Sequence, residues 1–276
     1  MTADVLIVGA GQAGFQVAAS LRADGYAGSI TLVGAEPHPP YQRPPLSKAL
    51  LLGKLEQDRL LFRQPGYYPA QAIDLRLGRT VTTIDRVARR VTTDDSEIVR
   101  YRSLVLAMGS RVRPLPLPGG ELDGVVYLRT LEDALELRRR VAAAERVVVI
   151  GGGFIGLEVA ASARMLGCQV VVLEATDRLM GRVVAPVISS FYAELHRGRG
   201  VEIVLGAGVA GFAGEAGRVR AVTMADGTQI AADLVVIGIG VIPNVELAQA
   251  AGLPCANGIV VDEHGRTEDP AVFAVG

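Results

Sequence analysis

The feature that most constrains this chain is a glycine fingerprint that occurs twice. One apolar run leads into GAGQAG at residues 9–14, and a second leads into GGGFIG at residues 151–156. Each copy enters G-x-G-x-x-G from a β-branched run and leaves it into a helix-like stretch, which is the pattern of a dinucleotide-binding βαβ unit. One copy indicates one nucleotide. Two copies in a chain of 276 residues suggest two nucleotides with electrons passing between them.

The two fingerprints supply a set of candidate nucleotide-binding residues. Their glycines allow a tight turn and let the backbone approach the pyrophosphate closely. The N–H groups at the helix N-terminus attract that pyrophosphate. Glu36 and Glu174 follow the second strand of each half, where a carboxylate accepts hydrogen bonds from ribose hydroxyls. The candidates are Gly9, Gly11, Ala13, Gly14 and Glu36 in the first half, and Gly151, Gly153, Phe154, Ile155, Gly156, Glu174 and Arg182 in the second.

The choice between NADH and NADPH depends on the residues around Glu174. A carboxylate there repels the extra phosphate of NADP, so Glu174 predicts NADH. Arg178 and Arg182 follow it closely, and an arginine can accommodate that phosphate. The residues therefore favour NADH and leave NADPH open.

Charge and composition exclude several other classes of function. The 28 basic and 29 acidic residues give a net charge of −1, which provides no field for nucleic acid or an anionic membrane. The uncharged runs are shorter than the roughly 20 apolar residues of a spanning helix. Met1 leads directly into a strand without a signal-like region, so we expect a cytoplasmic protein. Two isolated cysteines and three scattered histidines predict no metal site and no dithiol.

Landmarks along the chain predict an α/β fold with two Rossmann-like domains. The fingerprint, the acidic second strand and a late apolar strand ending in glycine occur in both halves. We place the first domain at residues 1–118, the second at 119–242, and a segment returning to the first at 243–276. The predicted helices cover residues 12–24, 131–144 and 155–166, and the predicted second strands cover residues 29–33 and 169–174.

A proline-dense segment separates the first βαβ unit from the rest of its domain. Its sequence at residues 41–48 is YQRPPLSK, which predicts a fixed loop without helix before Leu46 and a helix after it. This octapeptide resembles the signature of the NADH-dependent ferredoxin reductases, which are flavoproteins with two dinucleotide domains. Further matching segments are YLRTLEDA at 127–134, GGGFIGLEVA at 151–160 and GIGVIPN at 238–244. The resemblance covers essentially the whole chain.

The resemblance implies a fold, a reaction and a missing part. It implies a glutathione-reductase-like flavoprotein in which the first domain binds FAD and the second binds NAD(H). Hydride passes from NADH to the flavin, and single electrons then pass to a [2Fe-2S] ferredoxin that feeds a cytochrome monooxygenase or a Rieske dioxygenase. Members continue beyond the equivalent of Gly276 with an aspartate that binds the FAD ribityl chain and with a carboxy-terminal interface domain, so the resemblance implies that this sequence is truncated before them.

The same resemblance assigns roles to individual residues. Lys48 is implied to lie beside the flavin ring and to pair with Glu158, so both are candidate catalytic residues. An ammonium there would stabilise negative charge on the reduced ring, and the carboxylate would keep the lysine charged and oriented. The other candidate cofactor contacts are Arg43, Pro45, Val81, Ala107, Met108, Gly109, Arg129 and Gly240.

Other readings of the sequence remain open. The acceptor could be rubredoxin, monodehydroascorbate or a quinone, since the absence of a cysteine pair indicates only that electrons leave for an outside acceptor. A nucleotide-binding regulatory module without turnover is a further alternative. A plain NAD-dependent dehydrogenase would leave the first fingerprint and the proline-rich segment unexplained. The sequence does not determine the oligomeric state.

Overall fold

The computed structural model describes residues 2–276, and their contacts divide them into two compact units. The first unit comprises residues 2–42, 60–111 and 243–276, and the second comprises residues 43–59 and 112–242. Both units combine a largely parallel sheet with helices, which confirms the predicted α/β class. Residues 43–59, which the sequence assigns to the first domain, group with the second unit.

The first unit is built around a seven-stranded sheet. Its strands are β1 (Thr2–Val8), β2 (Ile30–Gly34), β3 (Ile73–Leu77), β4 (Val81–Asp85), β5 (Arg90–Thr93), β6 (Ile98–Leu106) and β17 (Val272–Ala274). The parallel part runs β3-β2-β1-β6, and β17 lies parallel to the end of β6. The β4–β5 hairpin continues the sheet antiparallel to the beginning of β6. The helices are α1 (Gln12–Ala23), α2 (Tyr67–Ala70) and α6 (Glu246–Ala250).

The second unit contains a five-stranded parallel sheet. Its strands are β8 (Val125–Tyr127), β9 (Arg146–Ile150), β10 (Gln169–Glu174), β11 (Val201–Leu205) and β15 (Leu234–Ile237), in the order β11-β10-β9-β15-β8. The helices are α3 (Leu131–Ala143), α4 (Phe154–Met165) and α5 (Pro186–Arg197). An antiparallel sheet contains β12 (Val209–Glu215), β13 (Arg218–Met224) and β14 (Gln229–Ala231). The chain passes between the units at β7 (Ser110–Val112) and β16 (Val241–Pro243), which pair with each other.

Strand β1 shows why the sheet of the first unit is buried on both faces. Val5 and Ile7 pack into one hydrophobic cluster with Phe15 of α1. Leu6 and Val8 pack into another cluster on the opposite face. Side chains alternate along a strand, so a continuous apolar run requires a hydrophobic layer on each side.

Helix α3 begins where a capping box satisfies its first N–H groups. The Thr130 hydroxyl accepts a hydrogen bond from the Asp133 N–H at 3.1 Å, and the Asp133 carboxylate accepts one from the Thr130 N–H at 2.8 Å. Reciprocal bonding of this kind stabilises a helix start. The buried side chains of α3 recur at helical spacing and form its inward face: Leu131, Ala134, Leu137 and Val141.

The elements predicted from the sequence agree with the structure except in the proline-rich segment. The predicted strand 169–174 is β10, and the three predicted helices match α1, α3 and α4 within one residue at each end. The expectation of no helix before Leu46 is wrong, because a 3-10 helix covers Pro44–Ser47. Proline is compatible with the first positions of a helix, where its missing N–H is not needed. Turns follow Ser47, and a second 3-10 helix covers Gln57–Leu60.

The 3-10 helix Pro44–Ser47 explains why residues 43–59 group with the second unit. It contacts both α3 and α4. Leu46, Leu50 and Leu51 are all at least 97% buried. Burying such side chains contributes about 1.5–3 kcal/mol each, which stabilises the attachment of this segment to the second unit.

In both units the fingerprint helix lies against its own glycine turn. A Cβ atom at Gly14 would overlap the carbonyl oxygen of Gly9, and one at Gly156 would overlap that of Gly151. The third glycine of each fingerprint therefore permits a helix-to-strand distance that no other residue allows.

Replacing Gly156 with alanine should lower the free energy of unfolding by about 1–3 kcal/mol, because the added methyl forces α4 away from β9. Urea unfolding followed by circular dichroism measures the loss. Gly153→Ala is the matched control, since a Cβ there meets no atom within 4 Å and the backbone φ is −80°. The control should cost less than about 1 kcal/mol. Equal losses in both variants would contradict the close-approach explanation.

Candidate functional site

The glycine turn of the first unit leaves the N-terminus of α1 open. Gly9 has φ +114°, and a Cβ there would overlap the carbonyl oxygen of Ala107. Gly11 is the N-cap of α1, provides no side-chain cap, and would place a Cβ in space free of atoms within 4 Å. Because the first N–H groups of a helix attract anions, this turn fits a pyrophosphate.

Glu36 lies just after β2, beside the end of β1. Its Oε2 accepts a hydrogen bond from the phenol of Tyr41 at 2.6 Å, and that tyrosine is buried. A buried donor orients the carboxylate at the carboxyl edge of the sheet, where Rossmann units bind their nucleotides. Tyr41, the first residue of the YQRPPLSK segment, therefore supports a predicted ribose-binding residue.

The turn after β6 contains Ala107, Met108 and Gly109 and is fastened by Asn244, which is not among the residues predicted from the sequence. Asn244 donates from Nδ2 to the Met108 carbonyl and from its backbone N–H to the Gly109 carbonyl, both at 2.9 Å. Arg111 in turn donates to the Asn244 side-chain oxygen at 3.0 Å. Asn244 is the last residue of the GIGVIPN match, and no local pattern in the sequence indicates these contacts.

Val81, another candidate for cofactor contact, lies in the hydrophobic core of the first unit. Its side chain is 7% exposed and packs in the cluster that contains Val91 and Val99. The structure accounts for Val81 as a core residue of β4.

The glycine turn of the second unit repeats the geometry of the first. Gly151 has φ +107°, and a Cβ there would overlap the backbone of Gly238. Gly153 is the N-cap of α4 without a side-chain cap, and the next two residues, Phe154 and Ile155, are exposed. Gly240, at φ +108°, also has no atom within 4 Å of an added Cβ. Two independent turns therefore present open helix N-termini of the same design.

Glu174 supports the second glycine turn directly. Its Oε2 accepts a hydrogen bond from the Gly152 N–H at 2.7 Å, and its Oε1 accepts from the N–H and the hydroxyl of Thr176 at 2.9 and 2.7 Å. Burial opposes ionisation, but these hydrogen bonds and the nearby Arg182 outweigh it and lower the pKa of Glu174 below its ordinary value. The carboxylate is therefore charged. Neither the contact with Gly152 nor the role of Thr176 was predicted.

The two arginines near Glu174 differ in what they contact. Arg178 donates to the carbonyl oxygens of Gly181 and Val184 and to the hydroxyl of Ser189, so it holds its own loop together. Arg182 is exposed and close enough to Glu174 to affect its ionisation. Arg178 is thus committed to contacts within its loop, whereas Arg182 stays exposed beside Glu174.

Lys48 and Glu158 form an ion pair within the second unit. The Lys48 Nζ lies 2.7 Å from Glu158 Oε2, and the two side chains are 49% and 29% exposed. The Ser47 hydroxyl donates to the same carboxylate oxygen at 2.5 Å. An exposed ion pair contributes about 0–1 kcal/mol, whereas a hydrogen bond to a charged group contributes about 1.5–3 kcal/mol.

The remaining candidates of the proline-rich segment, Arg43 and Pro45, form hydrogen bonds that hold this segment in place. The Arg43 guanidinium donates to the carbonyl oxygen of Arg129 at 2.6 Å, and the Arg129 N–H donates to Asp133 at 2.9 Å. Pro45 lies inside the 3-10 helix, where its carbonyl accepts the Lys48 N–H at 3.0 Å. These bonds fix the backbone from which the Lys48 side chain projects.

The two cysteines belong to different units. Cys168 is buried in the second unit and Cys255 is half-buried in the first, and burial raises the pKa of both thiols. Among residues 2–276 the structure contains no cluster of three or more side chains suited to holding a metal ion. Within the same range, no helix combines the length and apolarity needed to cross a bilayer.

Comparison with known proteins identifies the family of this arrangement. The sequence model of the family described as pyridine nucleotide-disulphide oxidoreductase matches residues 3–276. The chain is 48% identical to rhodocoxin reductase of Rhodococcus erythropolis over 272 residues, which are 99% of this chain and 64% of that protein. It is 49% identical to putidaredoxin reductase of Pseudomonas putida over 278 residues, which are 99% of this chain and 66% of that protein.

Solved structures agree with the sequence matches. The crystal structure of the covalent putidaredoxin reductase–putidaredoxin complex matches 99% of this chain and 67% of that chain, with a TM-score of 0.96 and 49% identity. The match confirms the two-domain flavoprotein fold and the resemblance indicated by the YQRPPLSK segment. The chain spans about two thirds of the length of these relatives.

The contribution of Glu174 to stability should depend on pH. Its folded-state pKa lies below its ordinary value of 4.5, so its stabilisation is fully present above that value and is lost as pH falls through the lowered pKa. The difference in the free energy of unfolding between the unmodified chain and Glu174→Gln should therefore shrink between about pH 6 and pH 3. Urea unfolding at each pH measures it. Thr176→Val removes one donor to the carboxylate, so its difference in the free energy of unfolding should change less with pH. If the difference for Glu174→Gln is the same at every pH, the lowered pKa of Glu174 is refuted.

Proposed function

Because this chain belongs to the pyridine nucleotide-disulphide oxidoreductase family, we propose that it binds FAD and NAD(H) and passes electrons from NADH to a [2Fe-2S] ferredoxin. In this proposal the ferredoxin feeds a cytochrome monooxygenase or a Rieske dioxygenase, and the protein works in the cytoplasm. The observation that carries the proposal is the repetition of one open glycine turn, with a carboxylate after the second strand, in two separate units.

The first unit offers the residues that would hold FAD. Gly9, Gly11 and Gly14 form the turn that fits its pyrophosphate, and Glu36 supplies an oriented acceptor for a ribose hydroxyl. When bound, FAD supplies a group that accepts a hydride and releases electrons singly. The backbone of Met108 and Gly109, held by Asn244, is proposed to line the same cofactor.

The second unit offers the residues that would hold NADH. Its open helix N-terminus fits a pyrophosphate, and Glu174 is a charged acceptor beside the turn. A charged carboxylate repels the additional phosphate of NADPH, which supports a preference for NADH. Arg182 is exposed nearby, so the proposed preference is a matter of degree.

Lys48 is the proposed catalytic side chain. Its ammonium is held by Glu158, and a positive charge in that place would stabilise negative charge that develops on the reduced cofactor. The surrounding residues only position it, since the 3-10 helix fixes its backbone and the Glu158 carboxylate lies 2.7 Å from its ammonium.

An external protein acceptor is supported by the cysteines and by the relatives. The two cysteines, Cys168 and Cys255, lie in different units and do not form the closely spaced pair of a dithiol motif. Relatives at 48% and 49% identity are named as reductases of rhodocoxin and putidaredoxin. We therefore favour a ferredoxin over rubredoxin, monodehydroascorbate, a quinone or a module without turnover.

The decisive experiment follows the flavin spectrum of the FAD-loaded protein. Anaerobic NADH should bleach the flavin absorbance, and added [2Fe-2S] ferredoxin should restore it faster than rubredoxin, monodehydroascorbate or a quinone does. A flavin that NADH does not bleach would refute the reductase. Bleaching followed by faster transfer to another acceptor would refute only the ferredoxin.

Replacing Lys48 with methionine should slow anaerobic reduction of the flavin by NADH at least about tenfold, because it removes a preorganised charge. Stopped-flow absorbance measures the rate. Lys54 is the only other lysine of the chain and is exposed, so Lys54→Met is a matched control that should change the rate less than about twofold. An unchanged rate in Lys48→Met would remove this residue from the mechanism.

Replacing Glu174 with alanine should reduce the preference for NADH over NADPH, measured as the ratio of the two kcat/KM values, by about tenfold. Without the carboxylate, the variant no longer repels the additional phosphate of NADPH, and it also loses the proposed hydrogen bond to the ribose of NADH. Steady-state assays with both coenzymes give the ratio. Equal losses with NADH and NADPH would show that Glu174 only supports the glycine turn.

A further inference from the structure

Ser47 is a buried polar residue that the proposed mechanism does not yet use. It ends the 3-10 helix Pro44–Ser47 and is 4% exposed. Its hydroxyl donates to Glu158 Oε2 at 2.5 Å, the same oxygen that lies 2.7 Å from the Lys48 Nζ. The Ser47 hydroxyl and the Lys48 ammonium therefore both contact the same oxygen of the Glu158 carboxylate.

The two donors hold Glu158 with different strength. Lys48 is 49% exposed, so water competes for its ammonium. Ser47 is short and buried, and its distance to the carboxylate is that of a charge-assisted O–H···O⁻ bond. Ser47 therefore holds the Glu158 carboxylate more firmly than Lys48 does. The Lys48 ammonium is placed by that carboxylate together with the Pro44 carbonyl oxygen, to which Nζ donates at 3.1 Å.

A second contact fixes Ser47 itself. The buried Ser162 hydroxyl donates to the Ser47 carbonyl oxygen at 2.7 Å. Glu158 and Ser162 lie one turn apart on α4, so they face the same side of the helix. Ser47 is thus attached to α4 through its side chain at one turn and through its backbone at the next.

We propose that Ser47 is a positioning residue, which orients the Glu158 carboxylate and through it places the ammonium of Lys48. Its effect on electron transfer rests on the proposed function, but its effect on Lys48 does not. Ser162 anchors the backbone of this segment without touching the carboxylate, so it provides a structural comparison.

Amine labelling tests the placement of Lys48 without any cofactor. The chain is treated with an acetylating reagent, and mass spectrometry follows Lys48 with Lys54 as the internal reference. In Ser47→Ala, labelling of Lys48 relative to Lys54 should accelerate about threefold or more, because a freed carboxylate holds the ammonium less well. Ser47→Thr keeps the hydroxyl and should restore the original rate, whereas Ser162→Ala should accelerate labelling less than Ser47→Ala.

A double-mutant comparison tests whether Ser47 acts through Glu158. In the Glu158→Gln background, Ser47→Ala should produce no additional acceleration, since the charged acceptor is already absent. The inference is overturned if Ser47→Ala leaves labelling unchanged or slows it, if Ser162→Ala matches it, or if its full effect persists beside Glu158→Gln.

Flavin reduction by NADH provides the second readout. Ser47→Ala should slow it about threefold or more without changing the Kd for NADH, and it should add nothing in the Lys48→Met variant. Failure of the unmodified protein to reduce flavin would refute the proposed function while the labelling result stands. Normal flavin reduction in Ser47→Ala would refute the inference while the proposed function stands.

Discussion

The packing of each fingerprint helix on its own glycine turn is the contact on which the two units depend. At Gly14 and Gly156 the helix backbone comes so close to the carbonyl oxygens of Gly9 and Gly151 that a Cβ atom would overlap them. This contact places the helix N-terminus at the carboxyl edge of the sheet, where the first N–H groups point outward. The acidic residue after the second strand reaches the same edge, so one backbone contact sets the geometry of a whole nucleotide site.

Around these turns the structure adds polar side chains that hold the functional groups in place. Glu174 supports the second turn through Gly152, and Asn244 fastens the turn after β6. Ser47 does the same for the carboxylate partner of Lys48. Each of these bonds is at least partly buried, where a hydrogen bond is stronger and an unsatisfied partner is more costly than at the surface. The predicted contact residues depend on supporting residues, such as Ser47 and Asn244, to which the matching segments assign no role.

Much of the fold could be predicted because its signals are local. The edges of α1, α3, α4 and β10 followed from glycine turns and apolar periodicity. The proline-rich segment was the failure, since proline density was taken to exclude a helix that in fact begins at Pro44. Its assignment to the first domain also differs from the structure, where buried leucines attach it to α3 and α4. Burial against distant elements leaves no local pattern by which to predict it.

By itself, the sequence determined two glycine fingerprints, the two-domain α/β fold and the family to which the chain belongs, because each of these depends on residue types and short spacings. The tertiary structure alone decided which oxygen each donor reaches. Ser47 meets Glu158, Asn244 meets Met108, and both contacts join residues more than a hundred positions apart. Hydrogen bonds require agreement within a few tenths of an ångström, and only the packing of whole strands and helices sets positions that closely.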